Sequence, residues 1–407
     1  MLASGIPVRR AVRKVVFAQF SDLLLTNDRR MRAYYLSSYS RMSGYHYPTH
    51  FMEIPYWIPI LASSFPADDF ERELLIVDDM ERAREQLAHA SEDTVYFFSV
   101  LDANVEYVHE LARTGARMLL GGYTDPAEFA PYPNVEYLTG PEEVVTRVHG
   151  ARAPGVLDYE LFRGLACIPR FSLSTGCSFR CAFCTVPTQL VETDPSVVRD
   201  QALAIRPLEF DLVFMDDKSF GDAKNWRNLG EVGEHLREIN PGFFGFIVQM
   251  PPSLAARPGF LEQCRDLGVR YVEFGVETAD DALLRYLRKP FRVRHLDRAC
   301  EIVRGLGMYT IPNLIIGIPG DTYAGTISWL TDNVDIVPVV NVNWLALHHG
   351  NERGDLRLAG GTTADGDQNR SDKTWLAGAD EARGWETIDT IYRTTEEHWR
   401  GRATYAS

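Results

Sequence analysis

Apolar and polar positions along this chain fall into short blocks whose period switches between two and about 3.6. Residues 14–20 (KVVFAQF) and 94–100 (TVYFFSV) are short, β-branched and aromatic runs that predict strands. Val105, Val108 and Leu111 recur at helical spacing over residues 103–114, and Gly115 ends that pattern. Residues 116–120 predict a strand running into Gly121-Gly122, residues 134–138 a shorter one. Residues 141–148 predict a helix that opens on Pro141 with acids in its first turn. Strands and helices alternating in this way predict a doubly wound parallel sheet of the Rossmann-like kind over residues 1–150.

Residues 151–164, with Pro154 and Gly155, form the expected linker to a second domain. Strands are then predicted at 168–174, 210–215, 243–250, 269–277, 308–318 and 339–347. Helices fall between them: 195–205 behind an Asp194 N-cap, Leu229 to Ile239, 261–266, Leu283 to Leu287, Ala299 to Val303, and 326–333. That repeat is a partial (β/α)6 barrel over residues 165–350, whose active face is the C-terminal end of its strands. Residues 351–407 divide into a Gly-, Asp- and Thr-rich loop and a helix with Trp385, Ile388, Tyr392 and Trp399 on one stripe. His348 and His349 open that loop, and a solvated role is the simplest expectation for them. Residues 32–65 carry Tyr34, Tyr35, Tyr39, Tyr45, Tyr47, Phe51, Tyr56 and Trp57 with His46 and His50 interleaved. Packing is the expected role of these aromatics. A lid over substrate is the sharper alternative.

The composition is that of an ordinary globular chain: 407 residues, 45% hydrophobic and 24% charged. A net charge of −14 disfavours binding to a phosphate backbone, so nucleic acid is not an expected partner. No apolar run approaches the ~20 residues of a membrane span, and no signal peptide is recognisable. Six cysteines are too few for a disulfide scaffold and suggest a reducing, cytoplasmic setting.

Three of those cysteines carry the chemistry. Cys177, Cys181 and Cys184 stand at C-x3-C-x2-C spacing just after the first strand of the barrel. Three thiolates on one loop can hold three irons of a [4Fe–4S] cluster and leave the fourth open to a small bidentate molecule, such as the amino and carboxylate groups of S-adenosylmethionine (SAM). Reduced structural cysteines, or half of a zinc site, remain the alternative. The zinc alternative lacks a second close pair, since Cys167, Cys264 and Cys300 are scattered singly.

The spacing, with Phe183 before the last cysteine, resembles the radical SAM superfamily. The resemblance implies that the cluster passes an electron to SAM, and that the 5′-deoxyadenosyl radical so formed takes a hydrogen atom from a small-molecule substrate. It also implies an electron donor such as flavodoxin or ferredoxin. The segments FFSVLDAN, LARTGARMLLGGY and VEYLTGPEE resemble the cobalamin-binding domain of one branch of that superfamily. The branch's Asp-x-His-x-x-Gly motif is missing, so either cobalamin binds without a protein histidine or the domain is a degenerate scaffold. The chemistry is then cobalamin-dependent C-methylation, or a cobalamin-free rearrangement, cyclisation, epimerisation or elimination. A non-catalytic SAM- or cluster-binding regulator is the alternative from another class.

Residue by residue, the resemblance places SAM against five positions. Phe183 would lie beside the adenine, and Asp216, in Asp216-Asp217-Lys218-Ser219-Phe220, near the amino group. Glu277 would contact the ribose, and Asn313 and Gly317 would line the adenine side. Period-two alternation puts Glu273, Gly275 and Glu277 on one inward face, with Glu273 expected in a structural network. No residue is assigned as the catalytic acid, base or hydrogen donor.

Overall fold

A computed structural model describes residues 11–21, 24, 29–45, 54–101, 104–122, 124–184, 186–345 and 381–404. His46, Tyr47, His50, Phe51, His348, His349 and the loop at 351–380 lie outside them. The chain forms two compact units, residues 1–27 with 55–163, and residues 28–54 with 164–407.

The first unit is a five-stranded sheet: β1 (Lys14–Phe20), β2 (Glu71–Val77), β3 (Thr94–Val100), β4 (Met118–Gly122) and β5 (Val135–Tyr137). The order is β2-β1-β3-β4-β5 and every pairing is parallel, as in doubly wound folds. The central strands are buried on both faces, which is why they read as continuous apolar runs. On one side Phe17 stacks on Phe97 at 5.4 Å between ring centroids; on the other, Phe20, Phe98, Val108 and Leu111 share one core. β2 was not indicated by the hydrophobic pattern. It is an edge strand, and its Glu71 and Glu73 both reach Lys14 of β1 at 2.7 Å, so the charges of its first half reflect cross-strand ion pairing, while residues 74–77 are apolar. The helix expected at 141–148 begins as a 3-10 turn, Pro141–Glu143, and continues as Val144–Arg147.

In the second unit, β6 (Arg170–Phe171), β9 (Leu212–Met215), β10 (Gly245–Met250), β11 (Val269–Glu277), β12 (Tyr309–Ile316) and β13 (Asn341–Trp344) form one curled sheet. All five pairings are parallel in the order β13-β12-β11-β10-β9-β6. Each strand follows its predecessor in space, with helices in most of the connections, and the result is the partial barrel. The strand expected at 168–174 is broken: after β6 the chain turns into β7 (Ser174–Thr175), which pairs antiparallel with β8 (Val191–Glu192).

The exposed side of β13 is covered. Helix Arg29–Ser43 belongs to this unit and presents Tyr34, whose hydroxyl accepts the Val340 N–H at 2.8 Å, and Tyr35, whose hydroxyl accepts the Val342 N–H at 2.9 Å. Tyr34 also stacks on Tyr392 of helix Glu381–Trp399 at 3.9 Å. That helix seats Gly384 on Trp344, where a Cβ would come within 2.2 Å of the indole. Tyrosine hydroxyls thus satisfy amides that a sheet edge would leave open. The first aromatics of residues 32–65 are packing elements. Among the described residues no helix is long and apolar enough to cross a membrane.

Candidate functional site

The cysteine loop grows out of the β7–β8 hairpin at the C-terminal end of β6. Gly176 opens it at φ 81°, and a Cβ there would lie 1.9 Å from the Gln189 carbonyl oxygen, so only glycine permits this turn. The Cys177 N–H donates to Pro187 O at 2.9 Å, the Cys184 N–H to Cys181 O at 3.2 Å, and the Val186 N–H to Cys184 Sγ at 3.4 Å. All three cysteines are unbridged and half-buried. Burial pushes the Cys177 and Cys181 thiols above their ordinary values. Among the described residues no three His, Cys, Asp or Glu side chains converge on a single ion position. The donor set itself, three soft sulfurs on one loop with an N–H directed at one of them, suits an iron–sulfur cluster.

The segment after β9 braces this loop. Asp217, 2% exposed, accepts the Ser174 hydroxyl at 2.5 Å and the Leu173 N–H at 3.0 Å. Asp222 accepts from Ser178, one residue past Cys177, and from Ser219 at 2.9 Å. Asn225 donates to Leu173 O. Asp217 therefore anchors the start of the loop. Its neighbour Asp216 lies between two cations, Arg170 at 3.1 Å and Lys218 at 2.8 Å.

Burial raises the Asp217 carboxyl to about 6, against the lowering effect of its Ser174 and Leu173 donors. The folded state thus holds this proton more tightly than the unfolded chain. The stabilisation is complete below about pH 4 and is lost as pH rises through about 6, in total about 3 kcal/mol. Asp217→Asn keeps both bonds if the Ser174 hydroxyl turns to accept, and it carries no charge at any pH. Relative to the wild type, the variant is expected to gain about 3 kcal/mol in urea unfolding between pH 4 and pH 7.5. A difference independent of pH would contradict the assignment. Asp211, raised by burial to about 7, acts in the same direction but is common to both proteins.

Opposite the loop, β11 departs from strict alternation. Gly275 pairs with Asn313 but Glu277 pairs with Leu314, a bulge, and Glu277 has φ 63°. The expected single inward face therefore holds for Glu273 and Gly275, and the backbone re-aims Glu277. Its carboxylate meets Lys289 Nζ at 2.8 Å, with the two side chains 8% and 9% exposed. Burial alone would lower the Lys289 ammonium; Glu277 and Cys181 outweigh it and leave the group above its ordinary value. Lys289 Nζ also lies 5.6 Å from the centroid of Phe183 and 5.6 Å from that of Phe291. Phe183 packs on an apolar cluster of Ala182, Leu287, Ile315, Ile318 and Leu345, and the Ala182 N–H donates to Leu287 O at 3.0 Å.

Gly317, at φ 88°, ends β12 and donates its N–H to the Tyr323 hydroxyl at 2.9 Å. Asn313 donates to Glu273 at 2.6 Å, and Gln249 donates to the same oxygen at 3.3 Å, the structural network expected for Glu273. The fold thus brings Phe183 and Glu277 together through Lys289 at the cysteine loop, and sets Gly317 between β12 and Ile318 of the apolar cluster. Asn313 hydrogen-bonds into the Glu273 network, and Asp216 into its own ion pairs. Lys289 is the residue that sequence reasoning missed. Its one signal was a lysine between Leu284, Leu287 and Phe291, an apolar setting in which a charge needs a partner.

Residues 171–328 match the family model described as the radical SAM superfamily. The chain is 25% identical over 240 residues to the ribosomal protein uS12 methylthiotransferase RimO of Bartonella tribocorum, an alignment covering 49% of this chain and 53% of that protein. It thus spans about half the length of the curated relatives it matches. Among solved structures it resembles the radical SAM methyltransferase TsrM from Kitasatospora setae with cobalamin and [4Fe–4S] cluster bound. The TM-score is 0.58 at 16% identity, over 96% of this chain and 92% of that one. It also resembles the cobalamin-dependent SAM radical enzyme OxsB with aqua-cobalamin and SAM bound, with a TM-score of 0.53 at 13% identity, over 80% of this chain and 52% of that one. At these identities the likeness is one of fold.

Proposed function

We propose that this chain, whose residues 171–328 match the radical SAM superfamily model, is a cobalamin-dependent radical SAM enzyme that methylates carbon in a small-molecule substrate. The observation that carries this is the pairing of two units in one chain. A three-cysteine loop stands at the C-terminal end of a parallel half-barrel, and an N-terminal sheet has the order β2-β1-β3-β4-β5. Support comes from the fold likeness to TsrM, which extends over 96% of this chain and so includes the N-terminal unit.

When bound, the cluster and SAM would supply a 5′-deoxyadenosyl radical, and cobalamin a methyl group. The chain's own residues would do the following. Cys177, Cys181 and Cys184 would hold three irons. Phe183 with Ile315, Ile318 and Leu345 would give the adenine an apolar wall and keep water from the reacting face. Glu277, fixed by Lys289, would accept a ribose hydroxyl, and Asp216 would face the amino group. An external one-electron donor such as flavodoxin or ferredoxin would reduce the cluster.

The first unit fits a cobalamin bound without a protein imidazole on cobalt. His109 stacks on Phe129 at 4.4 Å and contacts Tyr132 at 3.3 Å, while His89 Nδ1 lies 2.8 Å from its own helix carbonyl Glu85 O. These two imidazoles are held by their own surroundings, and the unit's third histidine, His149, is exposed. Gly122, at φ 121°, serves the sheet, since a Cβ there would lie 2.1 Å from Val100 O.

The test is anaerobic titration of the purified chain with hydroxocobalamin. One equivalent bound, with a visible spectrum lacking the signature of histidine on cobalt, is the expected result, and SAM with reductant should then yield S-adenosylhomocysteine. Failure to bind, with 5′-deoxyadenosine still formed, would replace methylation by a cobalamin-free radical reaction.

A further inference from the structure

We propose that Lys289 is a positioning residue whose ammonium sets the reduction potential of the cluster held by the Cys177–Cys184 loop, while the Glu277 carboxylate partly offsets it. The inference rests on the proposed assignment of that loop as the cluster site.

Four observations converge on the pair. Lys289 is a fixed charge, since its Nζ is 2.8 Å from Glu277 and both side chains are less than a tenth exposed. Backbone is distorted to build it. Glu277 at φ 63° follows a bulge, and Arg288, immediately before the lysine, is held at φ 56°. Positive φ at non-glycine residues persists only where the surroundings impose it. Space is reserved for it, because a Cβ on Gly275 would lie 2.9 Å from Glu277 Oε1 and 3.1 Å from Lys289 Nζ. Finally, the ammonium faces the ring of Phe183, the residue just before Cys184, at 5.6 Å. The loop is tied to the same segment by the Ala182 N–H on Leu287 O. An ion pair needed only for stability has no reason to lie against the cysteine loop.

The sign follows from charge. A [4Fe–4S] unit on three thiolates is already negative, and reduction adds one more negative charge. A buried ammonium favours the reduced form, a buried carboxylate opposes it, and low local polarity strengthens both effects. Lys289 therefore eases the first electron transfer. Glu277 keeps the site from being over-stabilised in its reduced state, from which the electron must still pass to SAM.

The experiment is an EPR-monitored redox titration of the reconstituted enzyme without SAM. Lys289→Met is expected to lower the midpoint by at least a tenfold change in the reduction equilibrium, about 59 mV for one electron. Glu277→Gln, near-isosteric and able to keep its bond to Lys289, is expected to raise it. Lys289→Arg should lie close to wild type, and the double variant Glu277→Gln/Lys289→Met between the two singles. If Lys289→Met does not take up a cluster, the upward shift in Glu277→Gln still decides the sign. A merely structural pair would move cluster content or thermal stability but not shift the midpoint in opposite directions. Unchanged midpoints in loaded variants would overturn the role of Lys289 alone. A wild-type chain that takes up no cluster would overturn the cluster assignment itself.

Discussion

Cys181→Ala protein, reconstituted anaerobically with iron and sulfide, is expected to show no [4Fe–4S] absorption or EPR signal above background and to form no 5′-deoxyadenosine from SAM. The reason is coordination. On the proposed assignment one loop supplies every protein thiolate of the site, and losing one of three would leave two irons without protein ligands. The other cysteines cannot substitute. Cys167, Cys264 and Cys300 are at most 1% exposed, and burial pushes the thiols of Cys264 and Cys300 to about 12. Cys264→Ala is the matched control and should retain full cluster content. A Cys181→Ala enzyme that still cleaves SAM would remove the foundation of the functional assignment.

Removing one partner of the Glu277–Lys289 pair is expected to give the largest loss of stability of any single polar substitution near the loop. Lys289→Met strands a buried carboxylate, a change that typically costs about 3–5 kcal/mol. At roughly 2–4 °C per kcal/mol for a unit of this size, the melting temperature of the cluster-free protein should fall by about 10 °C. Replacing both partners, as Glu277→Gln/Lys289→Met, removes the stranded charge and should restore most of that loss, because a buried ion pair is often no more stable than its neutral replacement. Calorimetry on the four proteins measures the coupling directly. Additive losses would mean that the two groups do not act as a pair.

The strand-and-helix skeleton was legible from the sequence because burial imposes a period on it. The central strands of both sheets read as apolar runs, and helices such as Leu229–Ile239 bury one stripe. Where that pressure is relaxed the pattern was silent. β2, on an edge, carries charges over its first half, where Glu71 and Glu73 pair with Lys14, and β6 and β7 are only two residues each. The candidate cluster loop was legible for another reason: metal ligation would demand particular residue types at close spacing, and the three cysteines lie within eight residues.

By itself, then, the sequence determined the fold class and the place of most strands along the chain, and it singled out three cysteines as candidate cluster ligands; each of these depends on local periodicity or local chemistry. Only the tertiary structure decided what surrounds the cysteines. Glu277 and Lys289 meet because a bulge in β11 turns one and an αL residue at Arg288 turns the other. Asp217 braces Ser174 from 43 residues away, and Tyr35 closes the edge of β13 from 307 residues away. Such contacts have no period and no spacing. They arise where a buried polar group must find a partner, and that partner is chosen by the packing of the whole unit.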